Sequence, residues 1–251
     1  MNNRLTQICI VIMASMMASG CYMTAHRSAD VLSPGEFSVS GNYINVKPTN
    51  DEDEGADGID AFEYLGIEGR VGIIRGLDVG YTYAKDLTDI GGDKGGNVSF
   101  ETNTHWFDAK YQILNKDKFD DKFSLAIGYG FGKPNMPDLD FGEEAEGPEE
   151  IWINHIYFTG SRKFGRINPF VTLRMESISS DMMIVPKWLW TEPGEDDEFS
   201  DMRKQLMFGA EIAATEMFHP VIEFGRYFND SPTDDEALNV FIFGVNIYYN
   251  R

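Results

Sequence analysis

From residue 36 onward the apolar positions recur with a period of two, and no stretch sustains the 3.6-residue period of a helix. In the final segment Phe241, Phe243, Val245, Ile247 and Tyr249 alternate with Val240, Ile242, Gly244, Asn246 and Tyr248. Further back, Phe123, Leu125, Ile127, Tyr129 and Phe131 alternate with Ser124, Ala126, Gly128 and Gly130. Phe107, Ala109, Tyr111 and Ile113 alternate with Trp106, Asp108, Lys110 and Gln112, and Val171, Leu173 and Met175 with Thr172, Arg174 and Glu176. Successive side chains of a strand point to opposite faces, so each segment reads as a strand with one apolar face and one of small or charged residues. Ten strands are predicted: Glu36–Val46, Asp60–Val71, Leu77–Lys85, Thr102–Leu114, Lys122–Gly132, Ile151–Ser161, Pro169–Ile178, Lys204–Ala214, Pro220–Phe228 and Leu238–Tyr249.

The connections alternate in length. Long ones cover residues 47–59, 86–99, 133–150, 179–203 and 229–237. Short ones lie at Ile74-Arg75-Gly76 and at residues 115–121, 163–168 and 215–219. Long and short connections, an even strand number and strands near the length needed to cross a bilayer resemble outer-membrane barrels, whose short turns are periplasmic and whose long loops are outside. The fold class expected is all-β: a single antiparallel up-and-down transmembrane β-barrel of about ten strands, with both chain ends on the short-turn side.

A soluble, lipocalin-like barrel carrying an apolar ligand would show the same alternation with its faces exchanged. The minor face decides between them. It carries Glu36, Glu68, Arg70, Asp78, Asp108, Lys110, Arg174, Glu176, Glu211 and Glu223 among Gly and Ala. A watery surface would be richer in Lys. A narrow lumen needs small residues beside long ones, and opposite charges that satisfy each other. The apolar face is therefore assigned to lipid, and Glu68, Arg70, Asp108, Lys110, His155, Arg174, Glu176, Glu211 and Glu223 to a luminal polar network. The last strand resembles the C-terminal assembly signal of outer-membrane proteins, which implies the barrel assembly machinery as a partner. Tyr43, Tyr83, Trp106, Trp152, Tyr227, Phe228, Tyr248 and Tyr249, near strand ends, are expected to form interfacial girdles.

The first residues need a separate reading. Arg4, an apolar stretch from Leu5 to Met17, and the small residues Ala18-Ser19-Gly20 before Cys21 describe a secretory signal. The stretch is too short for a transmembrane helix. The Ala-Ser-Gly-Cys run resembles a bacterial lipobox, which implies cleavage before Cys21 and acylation of that residue. Residues 1–20 are thus expected to be a removed signal, 21–35 a lipidated tether and 36–251 the barrel. Cys9 leaves with the signal, so the mature chain has no cysteine pair for a disulfide and no Cys-based zinc site.

Charge narrows the partners. The chain holds 21 Lys+Arg and 41 Asp+Glu; loss of Arg4 leaves 20 against 41, a formal charge of −21. Nucleic acid is excluded for want of a basic footprint. Outer-membrane lipids and lipopolysaccharide remain the expected partners, with weak divalent-cation binding at acidic loops the only cofactor chemistry on offer. Asp51 to Asp60 lacks the terminal Glu of a calcium loop. His105 is expected on the lipid-facing side, His219 in a periplasmic turn, and His155 alone in the lumen at mid-depth. No nucleophile–base pattern accompanies His155, so it reads as a member of the luminal network. A lipid- or peptide-modifying barrel enzyme is the alternative. In the longest loop, Met182 to Trp190 is apolar among acids, and its Trp188 and Trp190 are candidate contacts to rim, membrane or a partner.

Overall fold

A computed structural model describes residues 28–48, 62–87, 89–92, 96–99, 103–114, 123–135, 152–179, 201–228 and 237–249. Twelve strands occur among them: β1 (Phe37–Pro48), β2 (Phe62–Ile74), β3 (Leu77–Asp86), β4 (Asp89–Gly92), β5 (Gly96–Ser99), β6 (Asn103–Leu114), β7 (Phe123–Asn135), β8 (Trp152–Arg162), β9 (Ile167–Ser179), β10 (Asp201–Ile212), β11 (Phe218–Phe228) and β12 (Leu238–Tyr249). Ten close into an antiparallel up-and-down barrel in the order β1-β12-β11-β10-β9-β8-β7-β6-β3-β2, with β2 paired back to β1. These are the ten strands read from alternation, most of them extended by one to three residues. The β4–β5 hairpin, a separate two-stranded sheet, lies within the long connection at residues 86–99.

The wall is apolar outside and polar inside. Leu65, Ile67, Phe107, Phe208, Phe224 and Phe243 are each between 49% and 57% exposed. Their alternation partners Glu68, Arg174, Gln205, Glu223 and Asn246 are at most 1% exposed. A soluble barrel would be destabilised by that outer surface; a barrel in lipid needs it. Cross-strand aromatics continue along the outside, as in Phe37 stacked on Tyr249 at 4.6 Å and Phe107 on Phe131 at 5.7 Å.

Glycines set the width of the lumen. A Cβ on Gly128 would lie 2.0 Å from Cζ of Tyr157, and one on Gly132 would lie 2.4 Å from the Trp106 ring. The bare backbone of β7 thus gives room to large luminal side chains from β6 and β8. Toward the long-connection end, Val46, Tyr64, Ala84, Trp106, Ile153, Tyr227 and Val240 are buried together in an apolar layer inside the barrel. Trp106, Tyr227 and Tyr248 therefore turn into the lumen rather than joining a girdle. They lie near strand ends, but their parity is that of the inner face. Tyr43, Tyr83, Trp152, Phe228 and Tyr249 have the outward parity.

Candidate functional site

Arg70 of β2 is the centre of the luminal charges. Its Nη1 donates to Glu68 Oε1 and Asp108 Oδ1, both at 2.8 Å. Nη2 donates to Asp78 Oδ1 at 2.7 Å and Asp108 Oδ2 at 2.9 Å, and Nε donates to Asp78 Oδ1 at 3.1 Å. Glu68 also accepts from Ser40 Oγ at 3.2 Å, and Asp108 from the Tyr157 hydroxyl at 2.8 Å. Gly80, between Arg70 and Asp108 in the strand register, lets them meet: a Cβ there would fall 2.7 Å from Asp108 Oδ1. The planar guanidinium fork suits this task, because it satisfies several carboxylates at once in a fixed geometry.

Below this cluster, at the short-turn end, the chain's own N-terminal segment enters the barrel. Ser28, Ala29 and Leu32 are buried. The Ala29 amide donates to Ser161 Oγ at 3.1 Å, and the Leu32 amide to Asp78 Oδ2 at 3.1 Å. Lys110 Nζ donates to the carbonyls of Asp30 (2.9 Å) and Ser28 (3.2 Å), and lies 3.9 Å from Asp78. The Asp30 carboxylate accepts from Ser124 Oγ at 2.8 Å and Asn168 Nδ2 at 3.5 Å. Five strands of the wall thus hold one segment. It leaves over Gly72, whose absent side chain permits the crossing: a Cβ there would sit 2.0 Å from the Ser33 carbonyl oxygen. Gly35 turns the chain at φ 84°, its amide donates to the Gly72 carbonyl, and the Gly72 amide returns to Glu36. Residues 28–32, read from sequence as part of a tether, lie inside the barrel mouth, and 33–35 carry the chain out over its rim.

The remaining luminal residues lie elsewhere on the inner wall. Glu211 accepts from the Tyr248 hydroxyl at 2.6 Å and lies 2.7 Å from His219 Nδ1. His219 is a buried residue of β11, not part of a turn, because the strand begins two residues earlier than alternation suggested. Arg174 and Glu176 of β9 are buried, opposite Tyr157 and His155 of β8 in register; Glu223 of β11 is buried, opposite Gly209. The His155 ring packs between Trp106 (5.5 Å) and Tyr157 (5.8 Å). His105 lies on the outer wall, with Nδ1 2.7 Å from the Tyr81 hydroxyl.

Sequence reading had no way to find the seat of the N-terminal segment. Ser124, Ser161 and Asn168 are ordinary small or polar residues of the inner parity, and only the fold brings them to Asp30 and Ala29. Cys21, Trp188 and Trp190 lie outside the described residues, as do most acids of the long connections. Among the described residues, no group of three or more His, Cys, Asp or Glu is placed to hold a metal ion.

No protein-family model and no curated protein sequence matches the chain. Among solved structures it is similar to OmpTdeltaL8, a loop L8 deletion mutant of the Vibrio cholerae outer membrane protein OmpT, with 13% identity and a TM-score of 0.37. That match covers 84% of this chain and 62% of the other, so the chain spans less than two thirds of that protein's length. The outer membrane protein OprG of Pseudomonas aeruginosa is 9% identical, with 90% and 100% of the two chains covered and a TM-score of 0.36. The Yersinia pestis outer membrane protein Ail is 10% identical, with 86% and 99% covered and a TM-score of 0.36. The chain resembles these bacterial outer-membrane barrels in general architecture, and no specific family is identified.

Proposed function

We propose that this chain is a closed, non-enzymatic lipoprotein barrel of the bacterial outer membrane, anchored through acylated Cys21 on the periplasmic side and acting through its acidic outward loops. The observation that carries this reading is the inverted polarity of the wall, apolar outside and charged within. The filled lumen supports a structural or binding role over transport. Arg70 and its three carboxylates, the apolar layer above them and residues 28–32 below occupy the bore. The enzyme reading finds no support at His155, whose ring is stacked on Tyr157 and tilted against Trp106, while the Tyr157 hydroxyl is committed to Asp108. Outer-membrane lipids and lipopolysaccharide are the partners that this wall and the acidic loops favour, the latter through bridging divalent cations. A surface partner would meet the long loops, with Trp188 and Trp190 as candidate contacts.

The topology is tested on intact cells. Protease added outside should cut within residues 191–201, and the protein should stay in the membrane pellet after alkaline carbonate extraction. Cleavage only after the outer membrane is opened would invert the topology. Release by carbonate would remove the protein from the membrane altogether.

A further inference from the structure

The hairpin joining β8 to β9 concentrates positive charge in a chain that is otherwise strongly acidic. Arg162, Lys163 and Arg166 are exposed within five residues. Their spacing is fixed by the turn: Phe164 and Ile167 exchange backbone hydrogen bonds of 2.7 and 3.0 Å, with Gly165 at φ 60° between them. The Arg166 carbonyl accepts from the Ala213 amide at 2.8 Å, which ties the hairpin to the neighbouring turn. Arg162 lies over the Phe164 ring at 5.2 Å.

The surface beside these cations is apolar. Phe164 is 56% exposed, and Phe123, Ile167 and Ile212 continue from it into the outer wall. Phe123 is opposite Arg162 in register, and Ile212 opposite Ile167. The three cations therefore sit at the edge of the apolar belt, where long basic side chains lay their stems on apolar surface and keep their charge in the headgroup layer. Among the described residues, neighbouring charge does not cancel them: Glu216 is the exposed acid of the next turn.

We infer that the Arg162–Ile167 hairpin is a binding surface for the headgroup of an anionic phospholipid in the leaflet at the short-turn end. Two guanidinium groups and an ammonium suit a phosphodiester, and Phe164 would lie against the upper acyl chain. The inference rests on the membrane reading above. It deepens that reading by giving the two rims different chemistry: a basic, phospholipid-binding one here and acidic loops opposite.

Binding is measured on the full mature chain refolded in neutral detergent micelles, with phosphatidylglycerol or phosphatidylcholine added and complexes read by native mass spectrometry. Phosphatidylglycerol should bind more tightly. Each of Arg162→Gln, Lys163→Gln and Arg166→Gln should weaken it about fivefold, the effect of one basic residue at an anionic lipid surface. Arg162→Lys with Arg166→Lys should keep most of the binding, and Lys133→Gln at the opposite rim should leave it unchanged. Heat-modifiable gel migration identifies variants that have kept the barrel. Equal binding of the two lipids, or a folded triple Gln variant that binds like the parent, would overturn the inference. So would displacement of the lipid by inorganic phosphate at matched ionic strength, which would mark a free-phosphate site. Failure of the parent chain to insert into vesicles would instead sink the membrane reading.

Discussion

Arg70→Met isolates the central ionic cluster. Methionine keeps much of the arginine volume, so little of the cost comes from a cavity. What is lost is five hydrogen bonds of 2.7–3.1 Å to Glu68, Asp78 and Asp108. The side chains of Arg70, Glu68 and Asp78 are at most 4% exposed and that of Asp108 is 11% exposed, so water cannot replace the missing partner. Lys110 approaches Asp78 at 3.9 Å and is already bonded to the Ser28 and Asp30 carbonyls. Leaving buried carboxylates without their cation costs about 3–5 kcal/mol. Urea unfolding in lipid vesicles, followed by tryptophan fluorescence and by gel migration without heating, reads the loss. The variant Arg70→Met/Glu68→Gln/Asp108→Asn removes charge together with its partner and should recover more than half of it, because groups in one network do not add. A loss below about 1 kcal/mol for the single variant, well under the penalty for an orphaned buried charge, would refute the reasoning. So would a triple variant no more stable than the single.

The lumen width is tested by Gly128→Ala, which should drive Tyr157 off Asp108 and cost about 1–3 kcal/mol by overpacking. Gly41→Ala, with nothing within 4 Å of the added Cβ, should change stability by less than about 0.5 kcal/mol in the same titration. Phe243→Arg, on the outer wall midway along β12, should cost about 2–4 kcal/mol in a bilayer, and an unchanged midpoint would contradict its lipid contact. Asp30→Ala and Gly72→Ala should each speed hydrogen exchange at the Ala29 and Leu32 amides, whereas parental protection would mean that the segment is held by something other than the bonds described. Cys21→Ser should abolish palmitate incorporation, and mass spectrometry of the mature protein would expose an unmodified Cys21 or an N-terminus beyond it.

The strands and the polarity of the wall were legible because period-two alternation is a local property. Phe241, Phe243 and Val245 share a face whatever the rest of the chain does. Residues could be allotted to the lumen by the same parity, as with Arg70, Asp108 and Lys110. Which of them meet was not legible. Arg70 and Asp108 are 38 residues apart, and their contact depends on the stagger of three strands and on the bare backbone of Gly80. Trp106, Tyr227 and Tyr248 show proximity to a strand end competing with parity, and parity prevailed. The N-terminal segment was hidden for a different reason: Ser28 to Gly35 has no periodicity, and its burial comes from hydrogen bonds to strands up to 138 residues away. Tight crossing points such as Gly72 carry that information, but one glycine in a strand pattern does not say what crosses it.

The inverted wall is tested most directly by a spin-label scan along β12 of the protein in vesicles, on a Cys21→Ser background, with cysteines placed singly from Asn239 to Tyr248. Labels at Phe241, Phe243 and Val245 should collide freely with dissolved oxygen and hardly at all with a water-soluble nickel complex. Labels at Val240, Ile242 and Gly244 should be shielded from both, giving an oscillation with a period of two. Access of the nickel complex to 241, 243 and 245, or no oscillation along the strand, would contradict a lipid-facing outer wall around a filled, polar lumen.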